Sequence, residues 1–152
     1  MQVKGDQKFI DVPLPYRIFP PSLDPTIWPI VIVEIPQFKD PVNQDIYALI
    51  DSGANNSILD KQIAERMKID LSKCKKFKNG RSVNSFYEYW ILNEPVHIKV
   101  AGVEFPVIFN VIDTDDTMWP MILGEDSIFK YSQLIFKKYK KEFIIKFLTN
   151  IN

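Results

Sequence analysis

LIDSGANNSIL, residues 49–59, is the stretch on which the reading of this chain turns. An apolar run, Ala48-Leu49-Ile50, stops at an acid. Ser52, Gly53, Ala54 and two asparagines follow. The run reads as the end of a buried strand, so Asp51 is delivered to the strand's edge on rigid backbone. Gly53 then permits a turn that a residue with a Cβ would resist. By itself the stretch is either an ordinary strand exit or a carboxylate being aimed.

The rest of the chain narrows the choice. A length of 152 residues suggests one domain, with enough chain to bury a real core. Hydrophobic residues at 46% and charged residues at 25% are ordinary for a globular protein. The 19 basic and 19 acidic side chains cancel, so no global field favours nucleic acid or an acidic membrane surface. Cys74 is the only cysteine, which rules out an intramolecular disulfide and fits a reducing, cytoplasmic setting. With His97 the only histidine, a zinc site is not expected, nor any other metal or cofactor. The first residues are polar and charged, unlike a signal peptide. No apolar run approaches the roughly 20 residues of a membrane span.

Strand patterns dominate. Eight of the eleven prolines fall between Pro13 and Pro41, so residues 1–26 read as a proline-rich N-terminal arm and 27–152 as the domain. Ile30–Ile35 and Asp45–Ile50 read as a strand pair around a turn at 37–43. Asp60 can cap a short helix, Lys61–Lys68, with Ile63, Ala64 and Met67 on one face. Asn79-Gly80 is the strongest hairpin-turn signal, followed by a long aromatic strand, Arg81–Leu92. Val96–Val100 alternates, Ala101-Gly102 turns, and Val103–Ile112 returns, before an acidic loop at 114–117. Met121–Gly124 is a second apolar strand ending in glycine, with a short helix at Asp126–Tyr131. Gln133–Phe136 and Glu142–Leu148 flank a basic turn. There is no internal repeat.

Two apolar strands, ALIDSGA and MILGED, thus each end in glycine. A strand glycine lets another backbone pass close, and such packing would support the loop carrying Asp51. The pieces from about Ile27 to Leu148, in this order, resemble the retropepsin-like aspartic proteases, the protease type of retroviruses and related elements. The resemblance implies a mostly β, small closed barrel-like fold with one or two short helices, working as a homodimer on an extended polypeptide. It also leaves open release from a retroelement or viral polyprotein.

The chemistry implied is peptide hydrolysis by two carboxylates that share one proton and a water. The chain holds one Asp-Ser/Thr-Gly tripeptide, so the second carboxylate would be a second copy of Asp51 across a two-fold axis. By the same resemblance Ser52 would bond across that axis, where many relatives have Thr. Gly53, Ala54, Leu123 and Gly124 would support the loop. Asn79, Gly80 and Arg81 would lie near the tip of a flap closing over substrate, with Asn55 on the binding loop. Relatives often carry Arg after Ile-Leu-Gly, paired with an Asp two residues beyond the catalytic Gly. Here those positions are Glu125 and Asn55, and an amide-to-carboxylate hydrogen bond is the expected replacement. Glu142–Leu148, an apolar strand near the chain's end, would hold the dimer.

Two other classes compete. One is a retropepsin-like module that binds peptides or dimerises without catalysis; an intact Asp-Ser-Gly argues against it. The other is a trimeric dUTPase-type hydrolase, whose similar stretch continues Tyr-Arg-Gly where this chain has Ala54-Asn55-Asn56. His97 reads as structural, Cys74 carries no chemistry, and Lys137–Lys141 reads as a solvated turn. Trp28, Trp90 and Trp119 read as core or interface anchors.

Overall fold

The computed structural model describes residues 8–19, 23–38, 45–81, 86–113 and 119–149. Strands run in the order β1 (Phe9–Pro15), β2 (Arg17–Ile18), β3 (Ile27–Trp28), β4 (Ile30–Glu34), β5 (Ile46–Ile50) and β6 (Ile58–Asp60). Helix α1 (Lys61–Arg66) follows, then β7 (Lys75–Arg81), β8 (Phe86–Ile91), β9 (Val96–Val100), β10 (Val103–Val107), β11 (Asn110–Asp113) and β12 (Met121–Leu123). Helix α2 (Ile128–Tyr131), β13 (Ser132–Lys137) and β14 (Glu142–Leu148) close the chain. The molecule is mostly β with two short helices, as the pattern predicts. The acidic loop expected at 114–117 and most of the turn expected at 37–43 lie outside the described residues.

Nine strands form one mixed sheet in the order β10-β9-β4-β5-β12-β6-β11-β8-β7. Its ends, β10 and β7, do not pair among the described residues, so the expected closed barrel is not formed. The physical reason lies in β7 and β8. They extend the sheet as a two-stranded ribbon instead of turning back to meet β10.

β12 lies between β5 and β6, parallel to the first and antiparallel to the second. Two strands that are neighbours in sequence are therefore held apart by a strand from much later in the chain. β5 is apolar throughout because both of its faces are covered. Ala48 and Ile50 enter the main core with Leu59, Met121 and Leu123. Tyr47 and Leu49 face a second cluster built on Phe19, Ile30 and Trp119, with Trp28 edge-on to Trp119 at 5.6 Å. This double cover makes the strand ahead of Asp51 rigid.

A second sheet, β1-β14-β13, packs onto the main core through Phe143, Ile145 and Phe147. Each such buried side chain stabilises by about 1.5–3 kcal/mol relative to exposure. β14 is the middle strand, paired along its length with β1 on one side and β13 on the other. This corrects the expectation of an exposed terminal edge at Glu142–Leu148. The edge is covered because the proline-rich N-terminal stretch carries its own apolar alternation, Val12 and Leu14, which packs against the core.

Local signals were read with mixed accuracy. Ala101 and Gly102 turn at φ 49° and 82°, the positive values a tight hairpin needs. α1 stops two residues short of Lys68, where φ is 58° and the amides of Lys68 and Ile69 bond back to Glu65 and Ala64. Asp60 occupies the N-cap position, but its side chain makes no capping hydrogen bond. Burial raises its pKa, opposed in part by the nearby amide of Gln62. Val103–Ile112 is two strands, β10 and β11, with β10 paired to β9 and β11 to β6 and β8.

Asn79-Gly80 is not the hairpin turn. Both residues lie inside β7, which continues to Arg81 opposite Phe86; residues 82–85 lie outside the described residues. Between Phe77↔Tyr89 and Gly80↔Tyr87 the register shifts by one extra residue on β7, which is a bulge. Glycine is required there because a Cβ on Gly80 would lie 2.3 Å from the Tyr87 ring.

Candidate active site

The loop from Asp51 to Ser57 joins two strands separated by β12, so it must arch over the end of that strand. The arch is tied down by backbone. Ile50 N–H donates to the Pro29 carbonyl at 3.0 Å, and Asp51 N–H to the Leu123 carbonyl at 3.0 Å. Glu125 N–H donates to the Ala54 carbonyl at 2.8 Å. Gly124 sits directly beneath the arch; a Cβ there would be 2.3 Å from the Ala54 carbonyl oxygen. Glycine is thus the residue that lets loop and strand end touch.

Asp51 is half-buried at the start of the arch. The Gly53 N–H donates to its Oδ1 at 2.8 Å, fixing the carboxylate's orientation. Ser52 and Asn55 are exposed. The predicted residues Asp51, Ser52, Gly53, Ala54, Leu123 and Gly124 therefore come together in one small unit. Across a cavity of about 450 Å³ from Gly53, Ala54 and Asn55 stand Asn79, Gly80 and Arg81. Placing Asn79-Gly80 in a bulge instead of a turn leaves these residues facing the loop.

The expected Asn55–Glu125 bond is not made. Among the described residues neither side chain has a hydrogen bond or ion pair. The loop's C-terminal end is fastened by other residues, which the sequence reading missed. Ser57 is fully buried, and its Oγ accepts from Gly124 N–H at 3.0 Å and donates to Asp126 Oδ1 at 2.7 Å. The same oxygen of Asp126 accepts from Ser57 N–H at 2.9 Å. The buried Ser127 hydroxyl lies 2.6 Å from Ser57 Oγ. A knot spanning 70 residues of sequence leaves no periodic trace. The only signal was that Ser57 and Ser127 flank apolar runs where solvated hydroxyls are not needed.

This knot carries a stability prediction. Ser57→Ala leaves the buried Gly124 N–H without an acceptor, and should cost about 2 kcal/mol. Urea unfolding of Ser57→Ala beside exposed Asn56→Ala, expected within about 0.5 kcal/mol of the parent, measures the difference. Equal midpoints for the two would show that the knot does not hold the loop.

Among the described residues no cluster of three or more metal-ligating side chains exists, and no helix is long and apolar enough to cross a membrane.

Residues 38–126 match a family model described as aspartyl protease. No curated protein matches the chain. The fold is similar to a retropepsin-like aspartic protease from Rickettsia conorii, with TM-score 0.63 and 16% identity over 96% of this chain and 97% of that one. It is also similar to the retroviral protease-like domain of Ddi1 from Leishmania major, with TM-score 0.54 and 26% identity over 81% of this chain and 89% of that one. An Asp-Ser-Gly arch locked over an Ile-Leu-Gly strand end, a family model covering more than half of the sequence, and these shared folds agree: the chain belongs to the aspartyl protease family, in its retropepsin-like form.

Proposed function

We propose that the protein is an aspartic endopeptidase whose dyad is Asp51 from each of two identical subunits. The observation that carries this reading is the single carboxylate, fixed by Gly53 N–H at the end of a doubly covered strand. Held this way, Asp51 needs a like group opposite it to share a proton. One carboxylate then takes a proton from the attacking water while the other protonates the scissile carbonyl oxygen. Ser52 is exposed and in this reading bonds across the two-fold axis. The β7–β8 ribbon acts as the flap, excluding water once a peptide lies in the cleft. The substrate is an extended polypeptide.

A dyad that must hold one proton gives a bell-shaped rate with an acidic optimum, at about pH 4–6. Rates on a mixed peptide library from pH 3 to 9 test this. Cleavage that keeps rising through pH 8 would point to another mechanism.

We infer that a dimer contact is made by β13, not by β14, which is already paired on both sides. The second sheet has two outer edges, those of β1 and β13. β1 carries Pro13 and Pro15, two residues apart and lacking amide donors, which blunts its edge. β13 has no proline, and it exposes Ile135 at 39% and Phe136 at 41%. Pairing β13 with its copy would join two three-stranded sheets into one. Ile135→Lys with Phe136→Lys should therefore convert a dimer into a folded monomer and lower activity per mole at least tenfold, because each monomer holds half a site. Sedimentation equilibrium with a peptidase assay reads both. A variant that stays dimeric and active would place the contact elsewhere.

A further inference from the structure

The cavity beside Asp51 differs in chemistry from the apolar clusters behind it. Its walls hold Asn55 and Asn56 on the loop, Asn79 and Arg81 on β7, and Asn110 on β11. Asn79 Oδ1 already accepts from the Tyr89 hydroxyl at 3.3 Å, which leaves its amide N–H groups to donate. Among the described residues the side chains of Asn55, Asn56 and Asn110 have no hydrogen-bond partner. Arg81 only donates, and its guanidinium is steadied over the Phe86 ring at 5.1 Å. Among the described residues no Asp or Glu lines the cavity. The wall is thus polar, with Asn79 left as a donor by Tyr89 and one positive charge, Arg81.

We propose that this cavity takes a substrate side chain ending in an acyl oxygen, glutamate ahead of glutamine. The inference rests on the peptidase reading above and adds the class of residue cleaved. An apolar side chain entering here strips water from amide donors and returns nothing. Among the described lining residues a lysine meets Arg81 and no carboxylate, so like charge disfavours it. A carboxylate or carboxamide oxygen accepts from Asn79 and its neighbours, and a carboxylate also pairs with Arg81. Gly53 lines the cavity and bonds Asp51, so the recognised residue lies within two or three positions of the scissile bond. A two-fold dimer builds the cavity twice, so the preference should occur at matching positions on both sides of the cut.

The test is cleavage-site profiling of the full chain on a diverse peptide library at about pH 6, where glutamate is ionised. The Asp51→Asn protein serves as background. Glu and Gln should be enriched at two symmetric positions. Matched peptides should then show kcat/KM about tenfold higher with Glu than with Leu there. Arg81→Leu should pull the Glu-to-Gln ratio from above one to below one. The exposed Asn55→Leu should reduce both relative to Leu. Cleavage without acyl-oxygen enrichment, or an unchanged Glu-to-Gln ratio in Arg81→Leu, would overturn this proposal and leave the peptidase reading standing. No cleavage above the Asp51→Asn background would overturn both.

Discussion

Asp51→Asn should lower peptide hydrolysis by about 10⁴-fold or more while leaving the fold in place. The carboxamide keeps an oxygen that can accept the Gly53 N–H, now at 2.8 Å from Oδ1, so the loop keeps its anchor. It cannot take up or share the proton that the proposed dyad passes between water and substrate. Asp51→Ala should be equally inactive and slightly less stable, because the Gly53 N–H loses its partner. The proposed sharing of the site between subunits adds a quantitative signature. Parent and Asp51→Asn protein mixed in equal amounts and allowed to exchange should retain about a quarter of the activity, because only that fraction of dimers carries two carboxylates. Three-quarters of the activity would mean that one Asp51 per dimer suffices, and half would mean that each Asp51 acts alone. More than one per cent of parental rate in the pure Asn variant would remove Asp51 from the chemistry.

The second large effect is at Gly124. Placing a methyl there brings it to 2.3 Å from the Ala54 oxygen and 3.1 Å from the Asn56 oxygen, both backbone atoms. Neither can swing away like a side chain. The arch must lift, which breaks the Glu125–Ala54 hydrogen bond of 2.8 Å and loosens Ser57 from Gly124. Overpacking together with these losses should cost about 4 kcal/mol, a fall in Tm of about 10–15 °C. Gly53→Ala makes the contrast. Its Cβ would meet only Asp51 Oδ1, at 3.2 Å, so it should turn the carboxylate more than it weakens the fold. Calorimetry on Gly124→Ala decides the matter, and a Tm within 3 °C of the parent would mean that the arch is not clamped on β12.

What could be read from sequence was what is local. Asp51, Gly53 and the Ile122-Leu123-Gly124 strand end were legible because apolar runs that stop at glycine are written in consecutive residues. The bulge at Asn79-Gly80 was misread as a turn because the dipeptide suits either one; only the Tyr87 ring above Gly80 distinguishes them. The helix stop at Lys68 was invisible because a lysine rarely takes positive φ. The covering of β14 by β1 was missed because prolines masked the alternation of Val12 and Leu14. The Ser57–Asp126–Ser127 knot depends on two loops meeting in space, and no window of sequence contains it.

The insertion of β12 between β5 and β6 also governs the order in which the molecule can assemble. β6 ends at Asp60 and β12 begins at Met121, so the Asp51 loop has nothing to arch over until residues 121–124 have emerged and closed a loop of some sixty residues. Contacts of such separation make folding slow, since the entropy of closure precedes any reward. A nascent chain emerging from the ribosome therefore carries Asp51 on an unbuilt loop until β12 has been made. Until that closure the carboxylate hangs on a loop with no Leu123 carbonyl to receive its amide and no Gly124 beneath it, so the chain gains its shaped acid and its folded sheet in the same event.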